Sequence, residues 1–436
     1  MSHSSAAHNT FSQVPSYWSQ TAVDYTAPEA LTESLKADVT IIGAGFTGLR
    51  AAYELSKRNI SVVVLESNEP GWGASGRTGG QVNPLAHAAP SKIIEQLGEV
   101  YGPRMLESYV NSGNELFNLI ADNQLDCDAV QNGWLRGAHC QSAIKQLQEM
   151  HSGWSEYGLD ISFVEGKELH QLSGSTHYDV ATQVASGGCI QPLSFCRELA
   201  RVSAQQGAQI FAHSPVQSVK PEGSDWHVKT ANGQVTSQWV LFCTNGYTDN
   251  TLQGLKQTIV PLISVQAVTR PLSADEYRSI LPSGHTLSDT RRVIYYARKD
   301  NRDRLLFGSL GMSEACNGAD KSRLHQGLKK VFPQLKPEDL SLYWGGKLGF
   351  TADVLPHLHE PAPGILAGLG YNGRGVAMAS VMGRILAQRV SGTKAEDLAI
   401  ATTRLSPFPF HALHKVGTYG AIKCYEMRDA LDVKFF

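Results

Sequence analysis

Three glycines in the order Gly43-Ala44-Gly45-Phe46-Thr47-Gly48 follow the apolar run Ala37-Asp38-Val39-Thr40-Ile41-Ile42, and an acid, Glu66, lies 18 residues past the last of them. Glycines at this spacing suit a pyrophosphate. The first permits a tight turn, the second lets backbone approach the phosphates, and the third lets a helix pack close against the strand. The anion then sits at the helix N-terminus, where free N–H groups and the helix dipole favour negative charge. Glu66, with Ser67 beside it, falls where an acid accepts hydrogen bonds from ribose hydroxyls, which makes a 2′-phosphate unwelcome and NADP the poorest candidate.

A second glycine-rich loop follows the acid directly: Gly71-Trp72-Gly73-Ala74-Ser75-Gly76-Arg77-Thr78-Gly79-Gly80-Gln81-Val82. A simple NAD-binding fold has no use for it. A flavin does, because extended backbone must run along its ribityl chain and ring, and small residues allow that approach. Here the sequence resembles the FAD-dependent amino-acid and amine oxidase family, which includes D-amino-acid oxidase, glycine oxidase and sarcosine oxidase. The segment Gly71–Val82 looks most like its gamma-glutamylputrescine oxidoreductase branch.

The resemblance runs from about Ser16 to the C-terminus. It implies non-covalent FAD held by Gly43, Gly45, Phe46, Thr47, Gly48, Glu66 and Ser67, and by Gly73, Ala74, Ser75, Thr78, Gly79, Gly80 and Gln81. Val216 matches the family's adenine-contacting valine, and Asn245 with Gly246 its small-residue turn after an apolar strand. Gly370, Asn372, Gly373, Arg374, Gly375 and Val376 match the motif that closes under the ring. Gly375 also opens a helix with a small early face, Ala377, Ala379, Ser380 and Gly383, able to approach a ring closely and aim its positive end there.

The family's amino-acid oxidases clamp the substrate carboxylate with an arginine in a G-L-R-P-x-T-x-D stretch. This chain reads Gly346-Lys347-Leu348-Gly349-Phe350-Thr351-Ala352-Asp353, which puts Leu348 in the arginine's place. The sarcosine oxidases' carboxylate-binding lysine corresponds to Ala377. Two apolar anchors disfavour a simple α-amino acid, because an unpaired buried carboxylate is costly. Other side chains that could line a substrate cavity are Tyr296, Arg298, Lys347 and Tyr371, although such residues more often pack or solvate a face. His87 and His357 are read the same way. No catalytic base stands out, and hydride transfer from a neutral amine needs none.

The elements that must position these residues are legible. The run to Ile42, the helical spacing of Thr47–Arg58 and the apolar Ser61–Leu65 form one βαβ unit. Helical patterns fill 91–125 and 141–157, Pro192 starts another helix, and Asn232-Gly233 is a hairpin turn. Alternation through 255–310 predicts an antiparallel sheet. The expected fold class is therefore α/β: a Rossmann-like FAD-binding domain plus a substrate domain built on a mostly antiparallel β-sheet. We expect the FAD-binding domain to be discontinuous (36–90, 185–252 and 345–395), with the substrate domain from 91–184 and 253–344. A leader (1–35) and a C-terminal tail (396–436) flank them.

The 436 residues carry a net charge of −2, so no polyanion partner such as nucleic acid is expected, and no apolar run is long enough for a membrane span. The N-terminus lacks the basic and apolar regions of a secretory signal. Seven dispersed cysteines read as reduced thiols, hence a cytoplasmic protein. The expected activity is FAD-dependent oxidation of a gamma-glutamylputrescine-like primary amine to an imine, then to aldehyde and ammonia. Molecular oxygen, giving H2O2, or another electron acceptor completes the cycle. Oxidation of a secondary or cyclic amino acid, sarcosine- or pipecolate-like, is the alternative, and a non-catalytic flavin-binding subunit is a third reading.

Overall fold

A computed structural model describes residues 15–434 of the chain; the first 14 residues of the expected leader, and Phe435 and Phe436, lie outside the described residues. The strand Ser34–Ile42 pairs in parallel with Val62–Leu65 on one side and with Gln234–Phe242 on the other. Its side chains alternate across the sheet. Val39 and Ile41 join the larger apolar core, while Ile42 joins a second core with Val63, Leu65 and Phe242. That alternation is why the strand reads as continuously apolar: both faces are covered.

Gln209–Phe211 extends the parallel set at one edge, and Ile365–Leu369 extends it at the other. His357–Ala362 and Thr402–Thr403 follow beyond Ile365–Leu369, and the hairpin strands Ser218–Glu222 and Asp225–Lys229 complete a nine-stranded sheet. Val216 precedes the hairpin rather than lying on a strand. The helices Phe46–Ser56, Pro192–Gln205 and Gly375–Val390 pack on one face.

The second sheet has eight strands, ordered Leu340–Phe350, Val260–Thr269, Leu305–Gly311, Tyr295–Lys299, Thr286–Asp289, Trp134–Gly137, Val180–Val184 and Ile161–Glu165. All its pairings are antiparallel except that between Thr286–Asp289 and Trp134–Gly137. The chain thus has the expected α/β class with a mostly antiparallel second sheet. No helix among the described residues is long and apolar enough to cross a membrane.

The described parts of both terminal segments are more structured than a leader and a tail. The short helix Tyr17–Thr21 buries Trp18 to 1% exposure, and its indole N–H donates to the Thr78 carbonyl at 2.8 Å. Trp18 also meets Trp344 edge-on at 6.0 Å, so this segment clasps the second glycine loop to the second sheet. At the other end, Asp429 on the helix His414–Lys434 accepts from the backbone N–H groups of Arg292 and Val293.

Candidate functional site

The glycine loop lies at the C-terminal ends of the parallel strands, where ligands bind open α/β sheets. Gly43 has φ +104°, and a Cβ there would come within 3.0 Å of the Cys243 carbonyl oxygen. Gly45 precedes the helix Phe46–Ser56 as its cap, and a Cβ there would meet Ser75 Oγ at 2.8 Å. A Cβ on Gly48 would collide with the Gly43 carbonyl oxygen, so the third glycine serves helix–strand packing. The Glu66 carboxylate accepts from the backbone N–H groups of Ala44 (2.8 Å) and Asn68 (3.0 Å). Burial pushes its carboxyl pKa up, and these backbone donors pull it back.

Between these residues runs a cleft of about 270 Å³. Gly43, Gly45, Phe46 and Thr47 line it from the first loop, with Glu66 and Ser67 beside them. Gly73, Ala74, Ser75 and Thr78 line it from the second loop, and Asn245, Asn372, Gly373, Gly375 and Val376 close it. Trp72 Nε1 and Asn68 Oδ1, both on the cleft wall, are buried without a hydrogen-bond partner. A wall of bare backbone with an orphaned donor and an orphaned acceptor fits a polar dinucleotide.

Several expected cofactor residues lie off this wall. Val216 packs against the second apolar core. A Cβ on Gly246 would come within 2.6 Å of the Lys347 carbonyl oxygen, and one on Gly80 would strike the Ile190 carbonyl oxygen. Gly370 donates its N–H to Asn245 Oδ1 at 2.9 Å. Gly79, Gln81 and Arg374 line a second cavity instead. The cleft wall also includes Tyr247, Thr244 and Cys243, which the loop pattern does not reveal. Burial pushes the Cys243 thiol pKa well up, so it rests as a thiol.

The second cavity, about 720 Å³, shares Thr78, Leu348, Asn372 and Gly373 with the cleft. It is roofed by Ser264, Ser288, Tyr296 and Leu310 of the antiparallel sheet. A chamber therefore opens where the cleft ends. Tyr296 faces it, but its hydroxyl is held by Ser264 Oγ (2.7 Å) and Gln266 Nε2 (2.8 Å).

Three of the four sequence candidates for this chamber lie elsewhere. Arg298 donates to the Ile190 carbonyl at 2.8 Å and stacks 4.9 Å over Trp18, supporting the second glycine loop. Lys347 pairs with Glu314 at 3.1 Å and lies over the Tyr247 ring. Neighbouring residues on a strand point to opposite faces, so when Leu348 faces the chamber Lys347 must face away. Tyr371 lines the cofactor cleft, its hydroxyl 2.6 Å from Thr47 Oγ1. Ala377 lines neither cavity and is fully buried in the core, so its apolar character says nothing about the substrate. Gly383 likewise packs the closing helix onto Thr47 and Arg50, while Ala379 alone of the small face borders the cleft.

Of the other chamber residues, the sequence marks Arg374 only within the closing motif, reads His87 as a packing residue and leaves Arg136 unmarked. His87 lines it, with Nε2 2.7 Å from the Asn372 carbonyl oxygen. Burial, then the nearby Arg374, pushes the His87 pKa down to about 3, which keeps the ring neutral. Arg136 and Arg374 also face the chamber. Strand alternation in Trp134–Gly137 would have placed Trp134 and Arg136 on one face, but not which face met a cavity. His357, by contrast, pairs with Asp353 away from the chamber.

Residues 38–389 match the family described as FAD dependent oxidoreductase (DAO). The chain belongs to this family. It is an FAD-dependent oxidoreductase, and the cleft is where its residues would hold the cofactor. This flavoenzyme is 31% identical to the probable oxidoreductase OrdL of Haemophilus influenzae, over 96% of this chain and 95% of that one. It is also 31% identical to the gamma-glutamylputrescine oxidoreductase of Escherichia coli, over 96% and 99% of the two chains. Its fold superposes on glycine oxidase from Geobacillus kaustophilus with a TM-score of 0.71 at 18% identity, covering 83% of this chain and 96% of that one.

Proposed function

We propose that this flavoenzyme oxidises an amine, and that its substrate resembles gamma-glutamylputrescine: a primary amine whose carboxylate is remote from the reacting carbon. The observation that carries this reading is Leu348 at the junction of cleft and chamber. An apolar side chain there favours an uncharged amine carbon and offers no local partner to a carboxylate. FAD, bound in the cleft non-covalently, supplies the two-electron acceptor for the C–H bond beside the nitrogen. Leu348, Asn372 and Gly373 border the place where that carbon would lie, beneath the roof of the antiparallel sheet.

The imine product hydrolyses to aldehyde and ammonia, with oxygen as terminal acceptor giving H2O2. Chamber carboxylates do not offer a free base, since Asp289 is tied to Arg291 and to backbone N–H groups, and Asp432 to Arg292. The free thiols of all seven cysteines fit a cytoplasmic setting. Sarcosine- or pipecolate-like amino acids form the second reading, because two arginines in the chamber could serve a carboxylate. Mixing the holoenzyme anaerobically with a panel of gamma-glutamyl-capped polyamines, simple diamines and cyclic amino acids separates the readings. Capped amines should bleach the flavin absorbance fastest. Bleaching by amino acids alone would overturn the first reading, and no bleaching by any compound would overturn both.

A further inference from the structure

Buried arginines in this protein are, as a rule, paired. Arg50 meets Glu54 and Glu115, Arg77 meets Glu314, Arg291 meets Asp289, and Arg323 meets Asp320 and Glu426. Arg298 lacks a carboxylate and its Nε is buried without a partner, but its NH1 donates to the Ile190 carbonyl and its guanidinium lies over the Trp18 ring. Arg136 and Arg374 break the rule. They are 7% and 5% exposed, both line the chamber, and neither has a carboxylate within 4.0 Å among the described residues. Arg136 NH1 and Arg374 Nε are buried without any hydrogen-bond partner.

Their placement is built rather than incidental. Arg136 stands two residues from Trp134 on the strand Trp134–Gly137, hence on the same face. Arg374 reaches from the start of the closing helix and lays its guanidinium 5.0 Å over the Trp134 ring. That ring is pinned by its N–H, which donates to Ser288 Oγ at 2.8 Å. Arg374 over the ring and Arg136 on the same strand face thus put two cations from different layers of the fold on one wall. Burial pulls the Arg136 pKa down to about 10, and burial with repulsion from Arg136 pulls that of Arg374 down to about 9. Guanidinium groups nevertheless stay charged. The carboxylate that acts electrostatically on Arg136, Asp289, is engaged by Arg291, Tyr178 and the Tyr295 N–H.

We propose that Arg136 and Arg374 form an anion subsite in the chamber that holds the carboxylate of the amine substrate. This rests on the amine-oxidation reading above and deepens it. Planar guanidinium groups recognise carboxylates through paired N–H donors, and a desolvated pair with no internal partner is completed only by an incoming anion. Arg374 directly follows Gly373, which borders both cavities, so the subsite adjoins the reacting end without coinciding with it. The carboxylate is thereby moved off the position at Leu348, and the substrate must be long enough to bridge the two.

The test uses holoenzyme and a redox-inert probe, glutarate, with its diamide and inorganic phosphate as controls. Glutarate should perturb the flavin visible spectrum saturably and raise the melting temperature. In Arg136→Met and Arg374→Met the glutarate Kd should weaken about 10- to 100-fold, as expected for losing a charge-assisted pair. Both variants should melt no lower than the parent without anion, since each removes an unpaired buried cation; a purely structural guanidinium would lower it. Lys replacements should restore part of the affinity. A glutarate Kd unchanged in both Met variants, equal binding of the diamide, or a response to phosphate but not glutarate would overturn the subsite. If no amine bleaches the flavin while glutarate behaves as expected, the amine reading falls and the subsite stands. If amines bleach the flavin while glutarate is insensitive to both arginines, the subsite falls and the amine reading stands.

Discussion

The Tyr371 hydroxyl lies 2.6 Å from Thr47 Oγ1, joining the closing motif to the first glycine loop across 324 residues of sequence. Both residues line the cofactor cleft. Tyr371→Phe removes one partner of a buried pair, a loss of about 0.5–1.5 kcal/mol. FAD affinity should fall about two- to tenfold, measured by flavin fluorescence on dilution. Unchanged affinity would show that the pair does not set the width of the cleft.

Gly48 has a different vulnerability. A methyl group there would overlap the Gly43 carbonyl oxygen and come within 3.1 Å of Ile41 Cγ2. Because the first obstacle is backbone, Gly48→Ala must shift the helix away from the strand, at a cost of about 1–3 kcal/mol. Purified protein should hold substoichiometric FAD, read from the ratio of visible to ultraviolet absorbance, and should melt earlier. Full flavin content at the parent melting temperature would contradict the packing role.

His87 predicts an acid sensitivity with a definite sign. Its Nε2 meets the Asn372 carbonyl, and Arg374 and Arg136 oppose a positive charge on it; with burial the largest cause, its pKa drops from 6.5 to about 3. The unfolded chain therefore binds a proton that the folded chain refuses throughout that window. This contribution to stability is present above pH ~6.5 and is lost as pH falls toward ~3, by at most about 1.4 kcal/mol per pH unit. Urea midpoints at pH 7 and pH 5 should diverge less in His87→Asn than in the parent. Equal divergence would exclude His87 as the source.

Arg298 and Lys347 should separate stability from substrate binding. Arg298→Met forfeits the bond to the Ile190 carbonyl and the stack on Trp18, and should lower stability by about 1–3 kcal/mol. Lys347→Met breaks a partly exposed pair with Glu314 and a contact with the Tyr247 ring, each worth about 0–1 kcal/mol. Neither should change the KM of an oxidised amine by more than about twofold, since neither side chain lines the chamber. A large rise in KM for either variant would place that residue back at the substrate.

The amino-acid sequence by itself determined the βαβ unit, the glycine loop with Glu66, the second glycine loop and the closing motif. Each of these is a contiguous string whose function is local: a turn, a close backbone approach, or a helix start. Leu348 likewise lines both cavities, because a single strand position decides which way that side chain points.

Tertiary structure alone decided the wall of the chamber. Arg136 and Arg374 come from different layers and line one cavity, with Arg374 over the Trp134 ring, an arrangement with no signature in spacing. The same holds for the losses. Lys347 and Arg298 look available as isolated cations, but a carboxylate, a carbonyl and an indole separated from them in sequence claim both. Whether a buried charge is satisfied or left without a partner depends on groups that only folding brings together.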